Sequence, residues 1–230
     1  MVRHIQLKRR SILFVSSLGA ALMAAILFLT PVSTVRANDP QEVGVAPDGA
    51  NALEFIGKID QSGLLFQGYG YVTYIAGIPE DQMFTDPINH SEATARFTWA
   101  SQANLTARSI VDNIFMLNAA GSTTIYFNET PAGDFADPAS FASGTPIAVS
   151  SERWQNIVNV QAPDTAIATG GSQFTETSMT PFTLDNVEYQ FGHVNLLLRF
   201  SYTGEGHRSD RVLPSSNFVI AGNAISGSGS

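Results

Sequence analysis

Cysteine is absent from all 230 residues. That excludes a disulfide framework, a thiolate nucleophile, a thiolate metal centre and a cysteine-linked lipid anchor. Stability must then come from buried apolar surface, and fifteen phenylalanines and six tyrosines supply bulky groups for it. Positive charge is scarce as well, with 12 Lys and Arg against 20 Asp and Glu. Five of the basic residues (Arg3, Lys8, Arg9, Arg10, Arg36) fall in the first 37 positions and no acidic one does, leaving 7 against 20 beyond them, a formal charge of −13. A surface of that sign repels phosphate backbones, so no nucleic-acid partner is expected.

Catalytic signatures are missing too. The chain has no G-x-S-x-G ahead of a helix and no H-E-x-x-H. The glycines of Gly68-Tyr69-Gly70-Tyr71 are followed by no third glycine or helix, which argues against a phosphate cradle and for a sheet bend or a close backbone approach. Beyond residue 37 no stretch sustains helical periodicity.

What is present begins with residues 1–37, which read as a secretory signal peptide. A basic start leads into an apolar run from Ile12 to Leu29, then Pro31, then Val35-Arg36-Ala37 with compact residues where a cleavage site needs them. The competing reading retains residues 12–29 as a membrane anchor, since the run approaches the roughly 20 residues that span a bilayer. Either way the expected location is secreted, extracellular or in the cell envelope. Residues 38–50 read as a flexible lead-in, 51–225 as a single domain and 226–230 as a Gly/Ser tail.

Within the domain the dominant pattern is alternation with period two. From Ala93 to Ala107 the odd positions include Phe97, Trp99, Ala103 and Leu105, the even ones Arg96, Thr98, Gln102 and Asn104. This is a strand with one core face and one wet face. Further strands are expected at Leu53–Ile59, Leu64–Ile75, Ile110–Asn118, Ser122–Asn128, Ile147–Val160, Gln173–Ser178, Phe182–Leu184, Val187–Phe191, Val194–Tyr202 and Asn217–Ala224. Turns are expected at residues 60–63, Ala119–Gly121, Asp185-Asn186 and around His207. The fold class is all-β, an antiparallel meander closing as a barrel, with a two-sheet sandwich as the alternative. An outer-membrane barrel fits less well, because candidate strands carry Glu54, Lys58, Arg96, Glu188 and Arg199 and no aromatic girdle recurs.

Candidate site residues are few. His193, Arg199 and Glu188 are the polar groups that would converge if the strand after Gly192 turned its polar face into a cavity. Its other face, Val194, Leu196, Leu198 and Phe200, has more to gain from burial, so the polar row is expected outside. Asp134 and Asp137 could contribute oxygen ligands to calcium, but match no known loop pattern. Glu54, Glu152 and Glu188 lie on or near strands, with nothing in the sequence to bring any two together. No cofactor is expected.

In strand number and chain length the outline resembles secreted ligand-binding barrels such as lipocalins, and the barrel of allene oxide cyclases and dirigent proteins. The resemblance carries no site residue, and a fold does not name a function. The leading expectation is a non-catalytic module binding a small apolar or amphipathic ligand or a surface partner. The alternatives are a structural or adhesive envelope protein and a barrel-type cyclase or hydrolase.

Overall fold

The computed structural model describes residues 39–209 and 214–227. The segment read as a signal peptide or anchor lies outside them. Eleven strands are described: β1 (Gln41–Val43), β2 (Asn51–Ser62), β3 (Leu65–Ile75), β4 (Phe97–Val111), β5 (Ile114–Phe127), β6 (Thr145–Ala162), β7 (Thr165–Met179), β8 (Phe182–Leu184), β9 (Val187–Phe191), β10 (Leu197–Ser209) and β11 (Ser215–Gly227). Eight of them, in the order β2-β3-β4-β5-β6-β7-β10-β11, form a closed antiparallel barrel in which β11 returns to pair with β2. The expected barrel is therefore the architecture, and the sandwich is not. Closure leaves these eight strands no free edge.

Three hairpins of the barrel turn in two residues each, with Ser62 opposite Leu65, Val111 opposite Ile114 and Ala162 opposite Thr165. Gly63, Asp112 and Asp164 take the positive φ that such tight turns require, and Gly and Asp tolerate it best. Because the strands alternate in direction, all these turns lie at one end. The long connections, residues 76–96, 128–144 and 180–196, all lie at the other.

That second end is capped. Between β7 and β10 the chain makes the β8–β9 hairpin, which β1 joins from before β2 to give a small sheet, β1-β9-β8, in which β1 runs parallel to β9. The β8–β9 hairpin turns at Asp185-Asn186, both at positive φ, as the sequence implied. Phe182 of β8 packs its ring 5.6 Å from Phe97 and 5.0 Å from Phe127, and all three are buried. At the turn end Arg208 is buried, with one guanidinium nitrogen 3.0 Å from Gln61 Oε1 and the group 4.7 Å above the Phe115 ring.

Several sequence expectations need correction. Residues 41–43, inside the expected flexible lead-in, form β1, and Val43 is fully buried. Ser226, assigned to the tail, lies in β11 and accepts a hydrogen bond from the Ala46 amide. The Ala93–Ala107 strand runs instead from Phe97 to Val111, and Ala119–Gly121 is no turn but the middle of β5. Residues 204–209, read as a turn, continue β10. The wet face of β4 is also partly covered. Residues 128–144 fold down over it, so that the Thr98 hydroxyl is buried, donating to the Phe141 carbonyl at 2.7 Å and accepting from Asn128 Nδ2 at 2.9 Å. Beneath the same segment Tyr69, Tyr71, Phe84, Phe135 and Phe141 build a second aromatic cluster on the outside of the barrel. Arg96, expected to be solvated, is half-buried there.

Candidate functional site: an aromatic cavity inside the barrel

Alternation decides what enters the barrel. Along β6 the side chains of Ser150, Glu152, Trp154, Asn156 and Val158 are buried, while Ser151, Arg153, Gln155 and Ile157 are exposed. β10 repeats the rule, with Leu198 and Tyr202 buried and Arg199 and Ser201 exposed. Outward rows elsewhere carry Glu54, Gln67, Gln102 and Gln173, a face suited to water rather than to hydrocarbon.

Three glycines shape the interior around Trp99. Gly57 of β2 and Gly68 and Gly70 of β3 lie directly beneath its indole. A Cβ at Gly68 would come within 2.8 Å of the ring and one at Gly70 within 2.9 Å of Nε1, while one at Gly57 would collide with the ring outright. The missing side chains make a flat seat on which the largest residue in the chain can lie against the sheet, the close approach expected from the glycine spacing.

Beside Trp99 is a cavity with about 60 Å³ open to the centres of water molecules, room for roughly four to six waters or one small organic group. Six aromatic rings line it: Phe55, Trp99, Trp154, Phe174, Phe200 and Tyr202. Phe55 meets Trp99 edge-on at 5.7 Å, and Phe174 packs against Phe200 at a tilt, with ring centroids 4.1 Å apart. Phe174 and Phe200 are only half-buried, so the cavity approaches solvent on their side.

One charged group lines this apolar space. Glu152 is 6% exposed, and its Oε2 accepts a 2.7 Å hydrogen bond from the Thr123 hydroxyl. Its Oε1 is buried with no hydrogen-bond partner, as is the Nε1 of Trp99. Loss of hydration pushes the carboxyl up to about 7, and the Thr123 hydroxyl and the Trp154 side chain only temper that rise. Nearby, Tyr202 donates a 2.6 Å hydrogen bond to Asn156 Oδ1, and burial raises its phenol far above the usual range. Glu176 of β7, 1% exposed and away from the cavity, is likewise pushed up to about 7 by burial, with the Ser150 hydroxyl opposing the shift.

The residues singled out from the sequence lie elsewhere. His193 sits in the connection after β9, exposed, with Nδ1 2.6 Å from Glu42 Oε1, which ties β10's approach to β1. Glu188 is exposed on β9, in the small sheet. Arg199 is exposed on the outer face of β10, in a surface groove it shares with Arg153, Gln173 and Asn223. No hydrogen bond or ion pair among the described residues joins these three, and none lines the cavity. Asp134 and Asp137 use their carboxylates on local backbone: Asp134 accepts from the Ala136 amide at 2.8 Å, and Asp137 caps the short helix Pro138–Ala142 by accepting from Ala139. Among the described residues no three His, Asp or Glu side chains gather as a metal site.

Glu152 was visible in the sequence only as one strand carboxylate among several. The signal that sets it apart is its phase, two residues before Trp154 and therefore on the same face as the largest side chain of β6. Set against family models, curated proteins and solved structures, the chain matches none, so the reading of this cavity rests on its own residues.

Proposed function

We propose that this chain is a non-catalytic binding protein, working outside the cytoplasm, that holds one small apolar or amphipathic molecule inside its barrel. The observation that carries the reading is the aromatic cavity with a single unmatched carboxyl oxygen in it. Glu176 also buries carboxyl oxygens without partners, but at Glu152 open space adjoins the unmatched oxygen and the Trp99 N–H, and each such group costs about 1–3 kcal/mol. A ligand that supplied the missing partner would recover that cost on binding. The extracytoplasmic setting rests on the N-terminal segment.

Binding leads over catalysis because of what surrounds Glu152. A carboxyl titrating near neutrality suits general acid–base work. Yet the one other ionisable group on the wall, Tyr202, is committed to Asn156, and the Ser101, Thr123 and Ser172 hydroxyls that line the cavity have no His or Lys on the wall to activate them.

Trp99 and Trp154 are the two tryptophans of the chain, and both line the cavity. Intrinsic fluorescence therefore reports occupancy directly. Titration with small organic molecules of about five to eight heavy atoms should give a saturable change in intensity or emission maximum. Ser172→Phe, which would fill the cavity from β7, should abolish that change while leaving the barrel folded. Unchanged fluorescence across charged, neutral and aromatic members of such a panel would defeat the proposal.

A further inference from the structure

The wall of the cavity carries acid without base. Of its fifteen lining residues, contributed by all eight barrel strands, Glu152 and Tyr202 are the ionisable ones, and neither Lys, Arg nor His is among them. From β2 come Leu53, Phe55 and Ile59, from β3 Val72 and from β11 Ile220. These groups offer Glu152 no charge at all. From β4, β5 and β7 the polar neighbours are the Ser101, Thr123 and Ser172 hydroxyls. The buried guanidinium of Arg208 lies at the turn end against Gln61 and Phe115 and does not line this space.

We propose, resting on the binding role above, that the molecule the cavity takes is a small organic ammonium ion, its charged head against Glu152 Oε1 and its carbon groups among the surrounding rings. Three observations converge on it. Glu152 Oε1 is buried on the cavity wall with no hydrogen bond of ordinary length, only the Trp154 side chain nearby easing its ionisation, so it has room for a donor or a positive charge. Indole, phenol and phenyl faces attract cations through their quadrupoles, and they do so most strongly when water is excluded. An anionic head would find no Lys, Arg or His on the wall and, once Glu152 is ionised, a like charge, which disfavours fatty acids and phosphates. The space also limits the ligand to one small head group and a few carbons.

The test uses the full chain and two probes of equal size, tetramethylammonium and tert-butanol, followed by tryptophan fluorescence at constant ionic strength. At pH 8 tetramethylammonium should bind at least roughly tenfold tighter than tert-butanol. Its affinity should fall as the pH drops below about 7, the value near which Glu152 takes up its proton. Glu152→Gln should remove that preference and its pH dependence. Thr123→Val keeps the carboxyl but removes its one hydroxyl donor. It should move the pH midpoint of tetramethylammonium binding upwards, so the inference stays testable if the glutamine variant folds poorly. Equal or tighter binding of tert-butanol would overturn the ammonium inference and leave the binding role standing. Failure of both probes, together with failure of the wider panel, would remove both.

Discussion

Two carboxyl groups that prefer their protons make folding depend on pH in a direction opposite to most acidic proteins. Glu152 and Glu176 each rise from an ordinary value of 4.5 to about 7 in the folded state. The unfolded chain therefore releases these protons near pH 4.5, whereas the folded chain holds them until about pH 7. Stability from this source is complete below pH 4.5 and is lost as the pH climbs through 7, by about 3 kcal/mol for each group. Urea midpoints should fall between pH 5 and pH 8, and Glu176→Gln should flatten about half of that slope. A midpoint that rises over this range would show that the two carboxyls are ionised in the folded protein. The exposed His193–Glu42 pair, with side chains 58% and 45% exposed, is of another kind. His193→Ala should cost under about 1 kcal/mol, as surface ion pairs do, readable in the same denaturation curves. At this scale the sequence spoke through residue type alone. His, Arg and paired Asp attract notice, yet here they serve solvent, a surface groove and local caps. A single Glu in phase with a Trp attracts none, and only closure of the barrel shows what it faces.

At the scale of strands, alternation was legible and its interruptions were not. The faces of β10 and the Asp185-Asn186 hairpin follow from period and turn chemistry. The long β4–β5 pair is hidden from a period-two reading because β4 carries a bulge: Leu105 pairs with Ala119 but Ala107 with Asn118, leaving Thr106 extra. Beyond it every residue from Thr106 to Val111 is exposed, so alternation ends near Ala107 while the strand continues to Val111. Glycine misled in the same way. A Cβ at Gly121 would run into the backbone of β4, and one at Gly206 into that of β11, so these glycines let neighbouring strands approach in a coiled barrel and do not mark turns. The glycine seat of Trp99 gives a direct measurement. Trp99→Ala should cost about 3–5 kcal/mol as a buried aromatic. Gly68→Ala should cost about 1–3 kcal/mol by pushing the indole off its bed, with a shift in tryptophan emission that Gly49→Ala, at a position with nothing within 4 Å, should not produce. Thr98→Val should cost about 1–3 kcal/mol by leaving the Phe141 carbonyl unpaired. It should also open residues 128–144 to limited proteolysis before the barrel itself is cut.

For the whole molecule, the pairing of β11 with β2 sets the order in which the chain can mature. Ile225 lies opposite Asn51, and Ser215 opposite Ser62. Seven neighbouring pairs can form as hairpins or short excursions, but the eighth joins residues some 150 to 175 positions apart. Contacts of that separation form late, because loop-closure entropy must be spent before they return anything. While the chain is still emerging, residues 51–62 have β3 on one side and an open edge on the other, a template for another chain. A chain ending before Ser215 should therefore associate through that edge, and the intact chain should show a slow final phase, matched to barrel closure, in which the edge disappears. Refolding at two protein concentrations would expose the competition: the yield of monomer should fall at the higher one. The last thirteen residues of the fold thus act as a timing element. Until they arrive, the barrel is a sticky ribbon, and afterwards it has no seam.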